Sequence, residues 1–326
     1  MARSIDPGER YAAGVGLDSH LRVPVTAAFE HWSTDPFDLV IALVVFIHAR
    51  GLQARLRAIR HAGRPTRPWL QQAGLFYAGL FVLVLAVNSP VDYWSGSYLS
   101  AHIVQHLLLA FFAPPLIALG APWLPLMRGL PVAWRRALGT LIQRTRSQGT
   151  PGAGAGIRTL TRLRHTLSRP LTSVVLFNAS MVFWHLPGPF DLGLRNESAH
   201  IWLEHSSFFV FGLGMWLQVL GSYPLRPILD GPHRVAVLIA TNAVMVVTAM
   251  TLVMFTRAVY SGYAPFHSLA QRAADQQIGG AILWVCGEIS FLPTILYLVM
   301  SWLKTTEPAS GTALRPLAEK RPAMAP

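Results

Sequence analysis

Charge is scarce in this sequence: Asp, Glu, Lys and Arg make up 13% of its 326 residues, about half the share usual in a soluble domain. With 52% apolar residues beside that scarcity, a water-soluble globule is excluded. Cysteine is nearly absent. The single Cys286 rules out an intrachain disulfide and any cysteine-pair metal motif. Lysine occurs only at Lys304 and Lys320, outside the apolar stretches, so no retinal Schiff base can form within a span. The first 35 residues lack the apolar core of a signal peptide and carry charge from Asp6 to Arg10. The first span is therefore expected to act as its own insertion signal.

What is present is a series of apolar stretches near the roughly 20 helical residues needed to cross a hydrocarbon core. Seven spans are expected: Phe37 to Leu52, Leu70 to Asn88, Tyr98 to Leu119, Pro170 to Leu186, Ala199 to Leu220, Val235 to Phe255 and Ile278 to Leu303. The first is the shortest and contains Asp38, so a six-span arrangement with a re-entrant first segment is the alternative. Of the 27 basic residues, 21 fall at the end of span one, in the loops after spans one, three and five, or in the C-terminal tail. The positive-inside rule then puts the N-terminus outside and the C-terminus in the cytoplasm. The net charge of +12 reads as a topology signal and an attraction to anionic lipid headgroups. Nucleic acid has no place in this reading.

The fold expected is all-α and polytopic, with about seven transmembrane helices. It comprises an extracytoplasmic tail over 1–35, a membrane domain over 36–303 and a disordered cytoplasmic tail over 304–326. The basic loop 120–169 holds a flexible Gly/Pro/Ala run, SQGTPGAGAG, at Ser147 to Gly156. Before it, Trp134, Leu138, Leu141 and Ile142 form one helical stripe, as in a helix lying on the inner leaflet. No internal repeat of the kind found in inverted-repeat transporters is evident.

Given this topology, five of the twelve histidines fall at one membrane face. His102 and His106 open the third span, His185 closes the fourth, and His200 and His205 open the fifth. A spacing of four puts His102 and His106 on one helix face, where a pair can bind one metal ion. His200 shares a face with Glu204, but His200 and His205 point about 140° apart on an α-helix and cannot meet without local distortion. Met250, Met254, Asp275, Gln276 and Gln277 arrive at the same level. Imidazole with thioether suits copper, particularly Cu(I), whereas imidazole with carboxylate suits zinc or iron. Glu288, deep in the last span, is a costly carboxylate and a separate functional candidate.

Four segments then stand out: AHIVQHLLLAFFAPPLIALGAP ending at Pro122, WHLP at Trp184 to Pro187, AHIWLEHSSFFVFGLGMW ending at Trp216, and DQQIGGAILW at Asp275 to Trp284. In order and spacing they resemble the polytopic CtaG family of cytochrome c oxidase assembly proteins, from about the second span to the seventh. The resemblance implies a non-enzymatic plasma-membrane factor that a haem-copper oxidase needs to become active, plausibly through binding copper on the outer face and delivering it to oxidase subunits. It places the family's histidine motifs on His102, His106, His185, His200 and His205, and its acidic-amide motif on Asp275 and Gln276. The ligands expected are His102 and His106, completed by His185 and one of His200 or His205. Asp275, Gln276 and Glu204 are expected to orient them. A b-type haem electron carrier and a metal or proton transporter using Glu288 are the alternatives.

Overall fold

A computed structural model describes residues 30–34, 37–146, 159, 161, 169–263, 265 and 267–306. Apart from one isolated bridge between Ser222 and Leu225, the regular structure among them is helical. In chain order the elements are α1 (Phe37–His61), α2 (Arg67–Asn88), α3 (Pro90–Ser95) and α4 (Leu99–Gly120). They continue with α5 (Trp123–Gly129), α6 (Val132–Arg146), α7 (Pro170–Trp184) and α8 (Pro187–Arg195). A turn at Glu197–Ala199 and a π-helical stretch at His200–His205 lead into α9 (Ser206–Val219), followed by α10 (Gly231–Met254) and α11 (Leu269–Thr306). The expected N-terminal tail before residue 30, the Gly/Pro/Ala run and the C-terminal tail beyond residue 306 lie outside the described residues.

Five helices, α1, α2, α4, α10 and α11, are long and apolar enough to cross a membrane. The other two expected spans are also helical but fall short of that standard. α7 has 15 residues, and the stretch leading into α9 carries His200, Glu204 and His205. α1 runs past the expected end at Leu52 to His61. Its Asp38 accepts a 3.0 Å hydrogen bond from Asn88 Nδ2, which makes a carboxylate tolerable near the start of an apolar helix. Along α1, Leu39, Leu43 and Phe46 are exposed, an apolar face suited to lipid. α6 likewise exposes Val132, Trp134, Leu141 and Ile142.

α4 is the most enclosed span and packs against α2, α9 and α11. Its middle follows from two prolines. Pro114 and Pro115 have no N–H, so the carbonyls of Ala110 and Phe111, four residues back, lose their helical donors. The helix answers with a π-helical turn at Leu108–Phe112, closed by Ala113 N–H donating to the Leu108 carbonyl. Neighbouring helices supply the missing donors: Trp216 Nε1 to Ala110 O at 3.0 Å and Ser290 Oγ to Phe111 O at 2.7 Å. In a hydrocarbon environment no water could substitute for them.

At the opposite flank, α1 and α5 cross backbone to backbone at Gly51 and Gly129. A Cβ on Gly51 would lie 1.8 Å from the Pro125 carbonyl oxygen, and one on Gly129 would lie 1.8 Å from that of Ile47. Only glycine permits that approach on both sides.

S290A should lower stability by about 1 kcal/mol, the scale of one interhelical hydrogen bond in a membrane protein. Thermal unfolding in detergent measures it. An unchanged melting temperature would mean that the Phe111 carbonyl finds another donor.

Candidate metal centre

His102 and His106 sit on the α-helical first part of α4, before its π turn, so their four-residue spacing puts both rings on one face. The rings are 4.4 Å apart between centroids and nearly perpendicular. His200 and His205, five residues apart, are brought together by the π-helical turn they bound, whose i→i+5 period overlays positions that an α-helix would splay. Their centroids are 4.0 Å apart. The local distortion that their spacing requires is thus present. His185 follows the end of α7 and lies 5.9 Å from His106, while His200 and His205 lie 4.9 Å from His102 and 6.4 Å from His106, respectively. All five expected histidines therefore meet in one cluster. The pairs His102–His106, His102–His200 and His200–His205, with centroids 4.0 to 4.9 Å apart, are too close to hold a porphyrin between them.

Glu204, expected to orient the histidines, stands at the centre. Its Oε1 is 3.3 Å from His106 Nε2 and 3.7 Å from His102 Nε2, and its Oε2 is 2.9 Å from His200 Nδ1. His102, His106 and Glu204 can present donor atoms all within 4.8 Å of one another. Ligands about 2.0 to 2.1 Å from a tetrahedral ion are separated by about 3.3 Å, close to the two measured gaps. Several buried atoms also have no hydrogen-bond partner: His102 Nε2, both nitrogens of His106 and of His205, His185 Nε2 and Glu204 Oε1. Buried polar atoms are normally satisfied. Two of these orphans, the Nε2 atoms of His102 and His106, face the Glu204 carboxylate, an arrangement that fits a cation bound among them.

The surrounding residues seal and aim the cluster. In α8, Phe190, Gly193 and Leu194 share the inward face. Phe190 is fully buried between His102 and Tyr260, with ring centroids at 4.8 and 4.0 Å. Gly193 leaves space for the carboxylate, since a Cβ there would lie 2.5 Å from Glu204 Oε2. Asp191 accepts from Ser261 N–H, Ser261 Oγ–H and Gly262 N–H, tying α8 to the loop before α11. The side chains of Glu204 and His102 are fully enclosed, while His200 retains 15% exposure and opens the cluster toward the surface. His185 also borders an apolar cavity of about 430 Å³ between the end of α7 and α10.

Tyr260 and Tyr263 come from the same loop. Tyr260 Oη–H donates to the His185 carbonyl at 2.9 Å and Tyr263 Oη–H to the Ser95 carbonyl at 3.1 Å. Burial, with the charges of Asp275 and Glu204, pushes the Tyr263 phenol well above its ordinary range, so it remains a neutral hydroxyl. Neither tyrosine was signalled by the histidine pattern. The YSGY run in a loop at that membrane face was the available clue.

Asp275 and Gln276, expected to orient the histidines, make their hydrogen bonds to helix ends rather than to the imidazole rings. Asp275 accepts from the Leu99 and Ser100 amides and from Ser100 Oγ, capping the start of α4 three residues before His102. Gln276 Nε2 donates to the carbonyls of Leu252, Phe255 and Arg257 at the end of α10, and its Oε1 accepts from Val259 N–H. Gln105, another residue outside the expected set, joins α4 to α2 and α3 through the Ala86 carbonyl and Asp92. Glu288 lies twelve residues past Gln276, about 18 Å along the helix, and accepts from Asn242 Nδ2 at 3.0 Å. It takes no part in the cluster.

A family model described as cytochrome c oxidase caa3 assembly factor, Caa3_CtaG, matches residues 52–305. The chain belongs to that family. The match reaches from inside α1 to the last turn of α11 and includes every residue of the cluster. The chain is also 28% identical over 274 residues to uncharacterized proteins of Mycobacterium bovis and Mycobacterium tuberculosis, covering 82% of this chain and 39% of each relative. An uncharacterized Mycobacterium leprae protein is 27% identical over 277 residues, with the same coverage. The chain thus spans about two fifths of the length of the curated relatives it matches. No solved structure matches it.

D275A should weaken the start of α4 by about 1 kcal/mol, as expected on removal of a helix cap. Hydrogen exchange at the Leu99 and Ser100 amides should accelerate while the rest of the bundle keeps its protection. Uniform acceleration would contradict a capping role.

Proposed function

We propose that this Caa3_CtaG protein is a non-enzymatic membrane factor that holds a copper ion as cargo and releases it to a subunit of a haem-copper cytochrome c oxidase during assembly. In this reading the protein lies in the plasma membrane with the cluster at its outer face. His102, His106 and Glu204 hold the ion, and His185, His200 and His205 complete the donor set. The observation that carries it is the pair of buried, unpartnered Nε2 atoms of His102 and His106 that face Glu204. Family membership supports the oxidase as recipient, and the basic loops support the orientation.

The donors are imidazole and carboxylate, a set that suits divalent copper, zinc or iron better than a thioether-rich Cu(I) site. Five neutral imidazoles and one carboxylate leave a divalent ion with a net positive charge, which favours release to a more acidic or softer recipient. The partly exposed His200 is the ligand through which exchange would begin.

Elemental analysis of detergent-purified protein, with copper and zinc offered in competition, tests the reading. About one copper per chain is expected in wild type, with at least a tenfold loss in the H102A/H106A double variant. Affinity should also fall in G193A, where the new methyl group displaces the Glu204 carboxylate without removing a ligand. Preferential zinc binding would overturn the identity of the cargo, and wild-type protein that binds neither ion would overturn the site.

A further inference from the structure

His102 stands apart in how its ring is aimed. His185 Nδ1 donates to the Met181 backbone carbonyl within its own helical turn at 2.7 Å. His200 turns Nδ1 to Glu204. His102 Nδ1 instead meets a side chain from a distant loop, the hydroxyl of Tyr263 at 3.2 Å. We propose that Tyr263 is the positioning residue of this site: its hydroxyl accepts the Nδ1–H of His102 and fixes that imidazole as the tautomer whose Nε2 lone pair faces Glu204.

The assignment follows from counting protons. A phenol has one hydrogen, and a carbonyl can only accept. Tyr263 gives that hydrogen to Ser95 O, so toward His102 it offers a lone pair. His102 must then donate from Nδ1, and a neutral imidazole has no second N–H to place on Nε2. Nothing holds a proton there either, because Glu204 Oε1 at 3.7 Å is beyond hydrogen-bond reach.

The loop that carries Tyr263 is itself held from several sides. Asp191 binds Ser261 and Gly262, Gln276 binds the Val259 amide, Arg272 Nη1 donates to the Tyr260 carbonyl, and His267 Nε2 donates to the Ser97 carbonyl. The phenol therefore stays in place when Nε2 binds a cation. Partners of this kind, outside the ligand set, commonly change metal affinity 10- to 100-fold.

The tautomer stands without any metal, whereas its effect on affinity rests on the copper reading above. The test compares wild type, Y263F and Y260F. The last removes a buried hydroxyl from the same loop that touches no imidazole nitrogen. Nitrogen-15 ring signals of His102 in metal-free protein, assigned by their loss in H102Q, report the tautomer. Copper affinity is read by competition with a chelator.

Wild type and Y260F should show Nδ1 protonated and Nε2 bare. Y263F should shift the proton toward Nε2 and lose affinity by about 10- to 100-fold. A wild-type ring protonated at Nε2, or a Y263F ring identical to wild type, overturns the proposal. If Y263F does not fold, the wild-type ring signals alone decide. Wild-type protein that binds no copper would sink the cargo reading and still leave the tautomer to be read.

Discussion

A carboxylate enclosed among imidazoles, with no lysine or arginine of the described residues against it, organises one end of this bundle. Glu204 has no exposed side-chain surface, and among the described residues the imidazoles of His102, His106 and His200 lie within 4 Å of its oxygens. Removing such a charge from water costs several kcal/mol unless partners or a cation offset it. The missing side chain at Gly193, the seal formed by Phe190 and the π turn that swings His205 beside His200 all accommodate that group.

The rest of the bundle keeps this arrangement from relaxing. α4 carries two of the clustered histidines near one end and a backbone defect in its middle, and both are stabilised from neighbouring helices. Asp275 holds the first turn, Trp216 and Ser290 take up the carbonyls orphaned by the prolines, and Gln105 fixes the side that faces α2. α11 serves twice, with Asp275 and Gln276 at one end and Ser290 in the middle. A frame tied at these points holds side chains more closely than apolar packing alone, because each bond has a direction.

Much of this was legible in residue order. Hydropathy located the helices, and the loop charges implied a common face for the five histidines, which the structure brings together. Two features were hidden for a physical reason. Helical-wheel geometry assumes a uniform period, so the separation of about 140° inferred for His200 and His205 failed where the backbone takes one extra residue per turn. Wheel geometry likewise paired Glu204 correctly with His200 but carried no information about α4 crossing opposite it. Asp275 and Gln276 sat at the right depth, yet depth does not distinguish a contact with a ring from a cap on a helix end. Asp38, which argued against the first span, was answered by Asn88, 50 residues away.

The π-helical stretch at His200–His205 has a genetic consequence. It amounts to an α-helix with one residue inserted, so losing a single codon there would restore the regular period. Because the π turn already absorbs that extra residue, the helix on either side would keep nearly the same register, and His200 and His205, then four residues apart, would still share a face. The seam of α9 against α7, where Trp184 donates to Ser207, would keep its register, and the spacing that changes is that of Glu204, which would stand three residues from His200 instead of four. In this short stretch the identities of His200, Glu204 and His205 are therefore more constrained than its length, since either a π turn with five-residue spacing or an α turn with four-residue spacing puts both histidines on one face.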